Sequence, residues 1–158
     1  MAARRRGKTV APGPVEHVVI IVKENHCFDN YFGTFPGANG ATLDAVVKGG
    51  LWPTTVVFVT WDDWGGWFDH VDPENVEQWT DGTQFRYGSR VGCLVLSPFA
   101  RRGYVSKVRH SHVSLLKFCV QQFGVAAPHE RVTAADDMSD CFDFGAPPAP
   151  PPDAAPAW

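Results

Sequence analysis

Three short apolar runs, each closed by polar residues, set out the architecture of this chain. Residues 17–22 (His-Val-Val-Ile-Ile-Val) and 56–60 (Val-Val-Phe-Val-Thr) are continuous and mostly β-branched, as strands buried on both faces read. A third run, residues 91–97, predicts another strand. Residues 44–48 predict a short helix ahead of the second strand. Residues 113–123 predict an amphipathic helix whose core face is Val113, Leu116, Val120 and Phe123, at helical spacing. Strand and helix alternate, which predicts an α/β fold with a mainly parallel sheet.

The polar residues that close these runs are the candidate chemistry. The first strand leads into Lys23-Glu24-Asn25 and the second into Trp61-Asp62-Asp63. In a parallel sheet both carboxyl ends share an edge, where open α/β sheets bind ligands. Glu24, Asn25, Asp62 and Asp63 are therefore expected to converge on one oxygen-rich site. Carboxylates and an amide oxygen suit a hard divalent cation such as Mg, Ca or Mn, and a histidine in the set keeps Zn open. Gly65-Gly66 then lets the backbone turn sharply and can bring Asp69 and His70 back toward the same point. Two structural alternatives stay open. Aspartates at strand ends often hydrogen-bond their own turn, and Glu24-Asn25 can start a short helix at residues 28–32.

These residues lie in longer stretches. HVVIIVKENHCFDNYFGTFPGANG, WPTTVVFVTWDDWGGWFDHV and RVGCLVLSPFARRGYVSKVRHSHVSLLKFC resemble, in the same order, the bacterial phosphoesterase family of phosphatidylcholine-type phospholipases C and acid phosphatases. That family belongs to the alkaline phosphatase-like superfamily, and the resemblance runs from about Val15 to Phe144. It implies a three-layer fold, hydrolysis of a phospholipid or other phosphate ester, and a divalent metal held by Glu24, Asn25, Asp62 and Asp63. It places His70, in Asp-His-Val, near the substrate phosphate. His112, in His-Val-Ser, matches another histidine of the pattern, although a helix-start role serves that stretch equally well. His26 and Cys27 fall where the family varies and are assigned no chemistry. Headgroup selection lies outside the shared motifs, so phospholipase and phosphatase are not distinguished.

The chain departs from its family between the first two motifs. There a long middle section supplies the Ser or Thr nucleophile and further phosphate-binding histidines. Here about twenty residues separate Gly33 from Thr54, and the join falls near Thr42-Leu43. Thr34 and Thr42 are the only hydroxyls in that interval, and neither sits in the nucleophile's context, so no nucleophile is identified. The resemblance implies that metal and nucleophile act at one centre, and hydrolysis is accordingly expected to be impaired. The competing readings are a non-catalytic metal- or phosphate-binding remnant and a gene fragment. A missing section also leaves sheet edges open to association.

Composition adjusts the picture at the margins. With 158 residues, 44% of them hydrophobic, the chain can build one core. The expected organisation is a basic arm over residues 1–14, one phosphoesterase-like domain over 15–145, and a Pro-rich tail over 146–158. The net charge is −3; setting aside Arg4, Arg5, Arg6 and Lys8 leaves ten basic residues against seventeen acidic. Nucleic acid is excluded as an expected partner on that balance, and a phosphate would need a cation between it and the acidic site. Cys27, Cys93, Cys119 and Cys141 lack Cys-x-x-Cys spacing, which argues against a zinc ribbon. The arm shows twin arginines without an apolar h-region, and no run reaches membrane-spanning length, so a cytoplasmic location is expected.

Overall fold

A computed structural model describes residues 13–23, 41–63, 66, 68–78 and 80–151. Strand β1 is His17–Lys23, helix α1 Ala41–Lys48, β2 Thr55–Trp61, β3 Asn75–Gln78, β4 Gln84–Arg86, β5 Cys93–Leu96, α2 His112–Phe123 and α3 Glu130–Ala134. The two β-branched runs pair in parallel, in register from His17 opposite Thr55 to Lys23 opposite Trp61. Their carboxyl ends therefore reach the same edge, as the sequence predicts.

The third strand differs. β5 pairs with β2 antiparallel, with Thr60 opposite Cys93 and Val57 opposite Leu96, and the sheet order is β1-β2-β5. A parallel partner needs a crossover, usually a helix, to return the chain to the starting end. The described part of residues 62–92 instead carries the β3–β4 hairpin, and the chain enters β5 from the edge where β2 ends. The start of β5 thus lies beside the candidate site. The hairpin is tied to α3 by the Arg131–Glu77 ion pair, with the Arg131 guanidinium 4.4 Å over the Phe85 ring.

β2 is the spine of the core because its residues are buried on both faces. Val56 and Phe58 face a cluster containing Val15, Phe99, Leu115, Phe118, Met138 and Phe142, whereas Val57 and Val59 face Val19, Ile21, Leu96 and the Leu43 of α1. Helices consequently cover both faces of the sheet. Phe58 meets Phe118 edge-on at 5.3 Å, and Phe118 stacks on Phe142 at 5.1 Å, geometries that aromatic quadrupoles favour.

The buried side of α2 is not the predicted one. Ser114, Leu115, Phe118 and Gln122 are buried, while Leu116 and Phe123 are 43% and 49% exposed. The two buried polar residues explain the error, because both are hydrogen-bonded and so lie in the core at little cost. Ser114 Oγ accepts from the Ser111 amide at 3.1 Å, and Gln122 Nε2 donates to Val15 O at 2.8 Å. Gly124 ends the helix in the left-handed conformation at φ 64°, and the Val125 amide donates to Val120 O, a helix stop that glycine adopts without a Cβ penalty.

Candidate functional site

Asp62 and Asp63 follow the last residue of β2 directly, and both are exposed at the edge where β1 and β2 finish together. Their position fits the predicted oxygen donors. Glu24, Asn25 and Thr34 lie outside the described residues, as does the side chain of Thr42.

His112 comes to the same edge from the other side of the chain. It opens α2, and its Nε2 lies 2.7 Å from the carbonyl oxygen of Trp61. A carbonyl only accepts, so Nε2 carries the proton and Nδ1 of the neutral ring is left as an acceptor. The helix-start role and proximity to the site are thus both met by one residue.

His70 and Asp69 have different fates. Asp69 is a clamp: its carboxylate accepts from Arg90 Nε at 2.9 Å, Arg90 Nη2 at 2.8 Å, and the amides of Arg90 and Val71. Those Arg90 and backbone donors hold the Asp69 carboxyl far below the usual carboxylate range, and the same pairing raises the Arg90 guanidinium. Arg90 leads into Gly92, whose carbonyl accepts from Thr60 Oγ1 at 2.9 Å. A Cβ on Gly92 would lie 3.2 Å from the Trp61 ring, so glycine lets the segment pass close to Trp61 without displacing the ring. The Asp69–Arg90 clamp therefore draws the loop carrying His70 toward the end of β2. His70 itself is 81% exposed, with Nδ1 3.9 Å from Asp69 Oδ1. Phe68, His70, Ser89, Arg90, Val91 and Gly92 line a shallow depression of about 400 Å³. Arg90 is a site-shaping residue that sequence reasoning missed, since its partner is twenty-one positions away.

A second polar cluster, also missed, lies on the other side of α2's start. His110 Nδ1 is 2.7 Å from Asp136 Oδ1, an ion-pair contact off the N–H axis and not an aligned hydrogen bond. His110 Nε2 is 2.8 Å from Ser106 Oγ and 3.5 Å from Asp140 Oδ1. Ser106 Oγ and the Tyr104 hydroxyl both donate to Asp140 Oδ2, at 2.5 and 3.1 Å. Burial pushes the Asp140 carboxyl up, but these two hydroxyls and His110 outweigh it and hold it below its ordinary value. Burial, with Asp140 beside it, pushes the Cys141 thiol up to about 12. The pattern His110-Ser111-His112 with Asp136-Asp137 and Asp140-Cys141 is the only trace of this cluster in the sequence.

The Phosphoesterase family matches residues 15–49 and 41–126. Phospholipase C B of Mycobacterium tuberculosis is 32% identical over 121 residues, covering 63% of this chain and 23% of the relative. Phospholipase C A of the same organism is 30% identical over 119 residues, 62% of this chain and 23% of the relative. Non-hemolytic phospholipase C of Pseudomonas aeruginosa is 27% identical over 125 residues, 61% of this chain and 18% of the relative. The chain thus spans about a fifth of the length of these relatives. Because the family match takes in β1, α1, β2 with its acidic pair, β5 and the whole of α2, the chain belongs to the phosphoesterase family.

Proposed function

We propose that this chain is a metal-dependent phosphoesterase domain of the phospholipase C and acid phosphatase type, with an alkaline phosphatase-like sheet and slow turnover. The observation that supports it best is the acidic pair Asp62-Asp63 at the end of β2, inside the family match and with His112 beside it. The relatives' names point to a phospholipid phosphodiester as substrate. Asp62 and Asp63, with Glu24 and Asn25, would hold the divalent ion, which when bound would neutralise charge developing on the phosphoryl oxygens. His112, its Nε2 committed to Trp61, would present Nδ1 to a proton on a phosphate oxygen or an incoming water. Asp69 would keep the His70 loop close enough for the imidazole to meet the phosphate. Turnover is slow in this reading because residues 34–53 bring no hydroxyl in the family's nucleophile context, and a well-placed nucleophile accounts for about 7 to 11 kcal/mol of a barrier.

The test is hydrolysis of a chromogenic phosphorylcholine diester and of a chromogenic phosphate monoester. Turnover well below about 1 per second is expected, lost to a chelator and to Asp63→Asn. Rates across the ordinary enzyme range, about 1 to 1000 per second, would refute the slow reading and require a nucleophile at Thr34 or Thr42. Turnover no faster than buffer would favour a metal- or phosphate-binding remnant. That second reading draws on one observation: the family match falls in two segments that overlap at residues 41–49, where the middle section would lie.

A further inference from the structure

We infer that His110, Asp140 and Cys141 form a second cation site, suited to a borderline-soft divalent ion of the zinc class and separate from the oxygen donors at the end of β2. One ligating atom from each of the three lies within 4.8 Å of the other two. Tetrahedral zinc with bonds of roughly 2.0 to 2.3 Å sets its ligands about 3.3 to 3.8 Å apart. Two of the distances already fall in that range, His110 Nε2 to Asp140 Oδ1 at 3.5 Å and Cys141 Sγ to Asp140 Oδ1 at 3.7 Å. Closing the site needs only a small contraction.

The surroundings are those of a metal-binding imidazole. His110 turns Nε2 to the other donors and has Nδ1 2.7 Å from the Asp136 carboxylate; a turn of the ring that aligns this contact gives the arrangement in which an outer carboxylate fixes the imidazole and raises its basicity. Nδ1 is buried, and coordination at Nε2 would leave the ring proton on Nδ1, on the Asp136 side. Ser106 Oγ, 2.8 Å from Nε2 and 2.5 Å from Asp140 Oδ2, is hydrogen-bonded to both donors and holds them side by side; a water would complete the coordination.

Two of the three donors sit on an ordered element, and His110 lies two residues before α2. Asp140 and Cys141 belong to a 3-10 turn, the Cys141 carbonyl accepts from the Arg101 amide at 2.9 Å, and the next residue, Phe142, is stacked in the core. A cavity of about 980 Å³, lined by Ser106, His110 and Cys141 together with Cys93 and Tyr104, gives an ion a way in. Mixed nitrogen, oxygen and sulfur donors select zinc-like ions over Mg or Ca, which the edge site's oxygens suit. The two sites therefore predict different ions.

The experiment uses the full chain, stripped of metal by chelation and titrated with Co²⁺ as an optical stand-in for Zn²⁺. A thiolate-to-cobalt charge-transfer band saturating at one ion per chain is expected, displaced by Zn²⁺ and untouched by excess Mg²⁺ or Ca²⁺. Cys141→Ser and, independently, His110→Gln should remove the band while circular dichroism stays native. Asp136→Asn should weaken cobalt binding by about 10- to 100-fold. Asp62→Asn with Asp63→Asn, and Cys27→Ser, should leave the band intact. The proposal is overturned by absence of the band in the folded chain, by its survival in both Cys141→Ser and His110→Gln, or by its loss with Cys27→Ser or with the edge-site pair.

Discussion

Leu115 and Leu116 are neighbours in sequence that should respond oppositely to the same substitution. Leu115 is 4% exposed against Phe58 and Phe118, and Leu116 is 43% exposed. Truncating Leu115 to Ala removes a fully buried side chain and leaves a cavity, at a cost of about 2 to 5 kcal/mol. Truncating Leu116 removes atoms that are half in water, and alanine's better helix propensity offsets part of the loss, so its cost should stay within about 0.5 kcal/mol. Urea unfolding reads the difference directly. With a slope of about 2 kcal/mol per molar, the Leu115→Ala midpoint should fall by roughly 1 to 2.5 M and the Leu116→Ala midpoint should barely move, both with unchanged slope. Equal costs, or a larger cost at Leu116, would refute the orientation of α2. The consequence reaches the site. Successive residues turn by about 100°, which puts the predicted face of Val113, Leu116, Val120 and Phe123 roughly 160° from the buried one. A helix seated on that face would carry His112 to the opposite flank, away from Trp61.

Two further outcomes follow from the edge. A divalent ion that binds only the folded chain should raise its stability by about 2.7 kcal/mol at 100 times its dissociation constant, a melting-temperature rise of roughly 5 to 10 °C for this size; Asp62→Asn with Asp63→Asn should erase the rise caused by Mg²⁺ or Mn²⁺, read by scanning calorimetry. The Asp69 carboxyl is held below its ordinary value in the folded chain, so its stabilising contribution is present above the unfolded pKa of about 3.9 and is lost as pH falls through the lower folded value. The unfolding-midpoint gap between wild type and Asp69→Asn should therefore be widest near neutrality and narrow below about pH 4; a gap that widens on acidification would contradict the clamp.

The continuous β-branched runs were the legible part of this fold, but only β2 is buried on both faces as expected; β1 lies at the end of the described sheet, with Ile20 and Val22 40% and 51% exposed. β1 and β2 are continuous β-branched runs, and their observed bounds match the predicted ones to within a residue or two. Their parallel pairing placed Asp62 and Asp63 correctly at the sheet edge. Strand direction was not legible at β5, because Val91 to Ser97 reads the same in either direction and the absence of a crossover helix had to be seen. The face of α2 was misread because periodicity treats Ser114 and Gln122 as solvent-facing, and only their hydrogen bonds show why they are buried. Met138 and Phe142 were missed as core because residues 135–145 have neither helical nor strand period. The His110 cluster joins two segments about thirty residues apart, and no local spacing encodes such a meeting.

The proposed chemistry divides along the same lines as the fold. In the proposed reading β2 carries the acidic pair, the Asp69–Arg90 clamp draws in the His70 loop, and α2 seats His112 on Trp61. Each of these is anchored by contacts to β2 or to the segment that enters β5. A nucleophile, by contrast, would have to enter from the interval between β1 and β2, where the hydroxyls are few and out of context. In the proposed reading the carboxylate donors and the nucleophile come from different stretches of sequence, so losing the second removes attack while leaving the carboxylates in place. Retained ion affinity with depressed turnover is the signature that this separation predicts. Loss of both together would place the edge donors under the control of residues beyond the sheet.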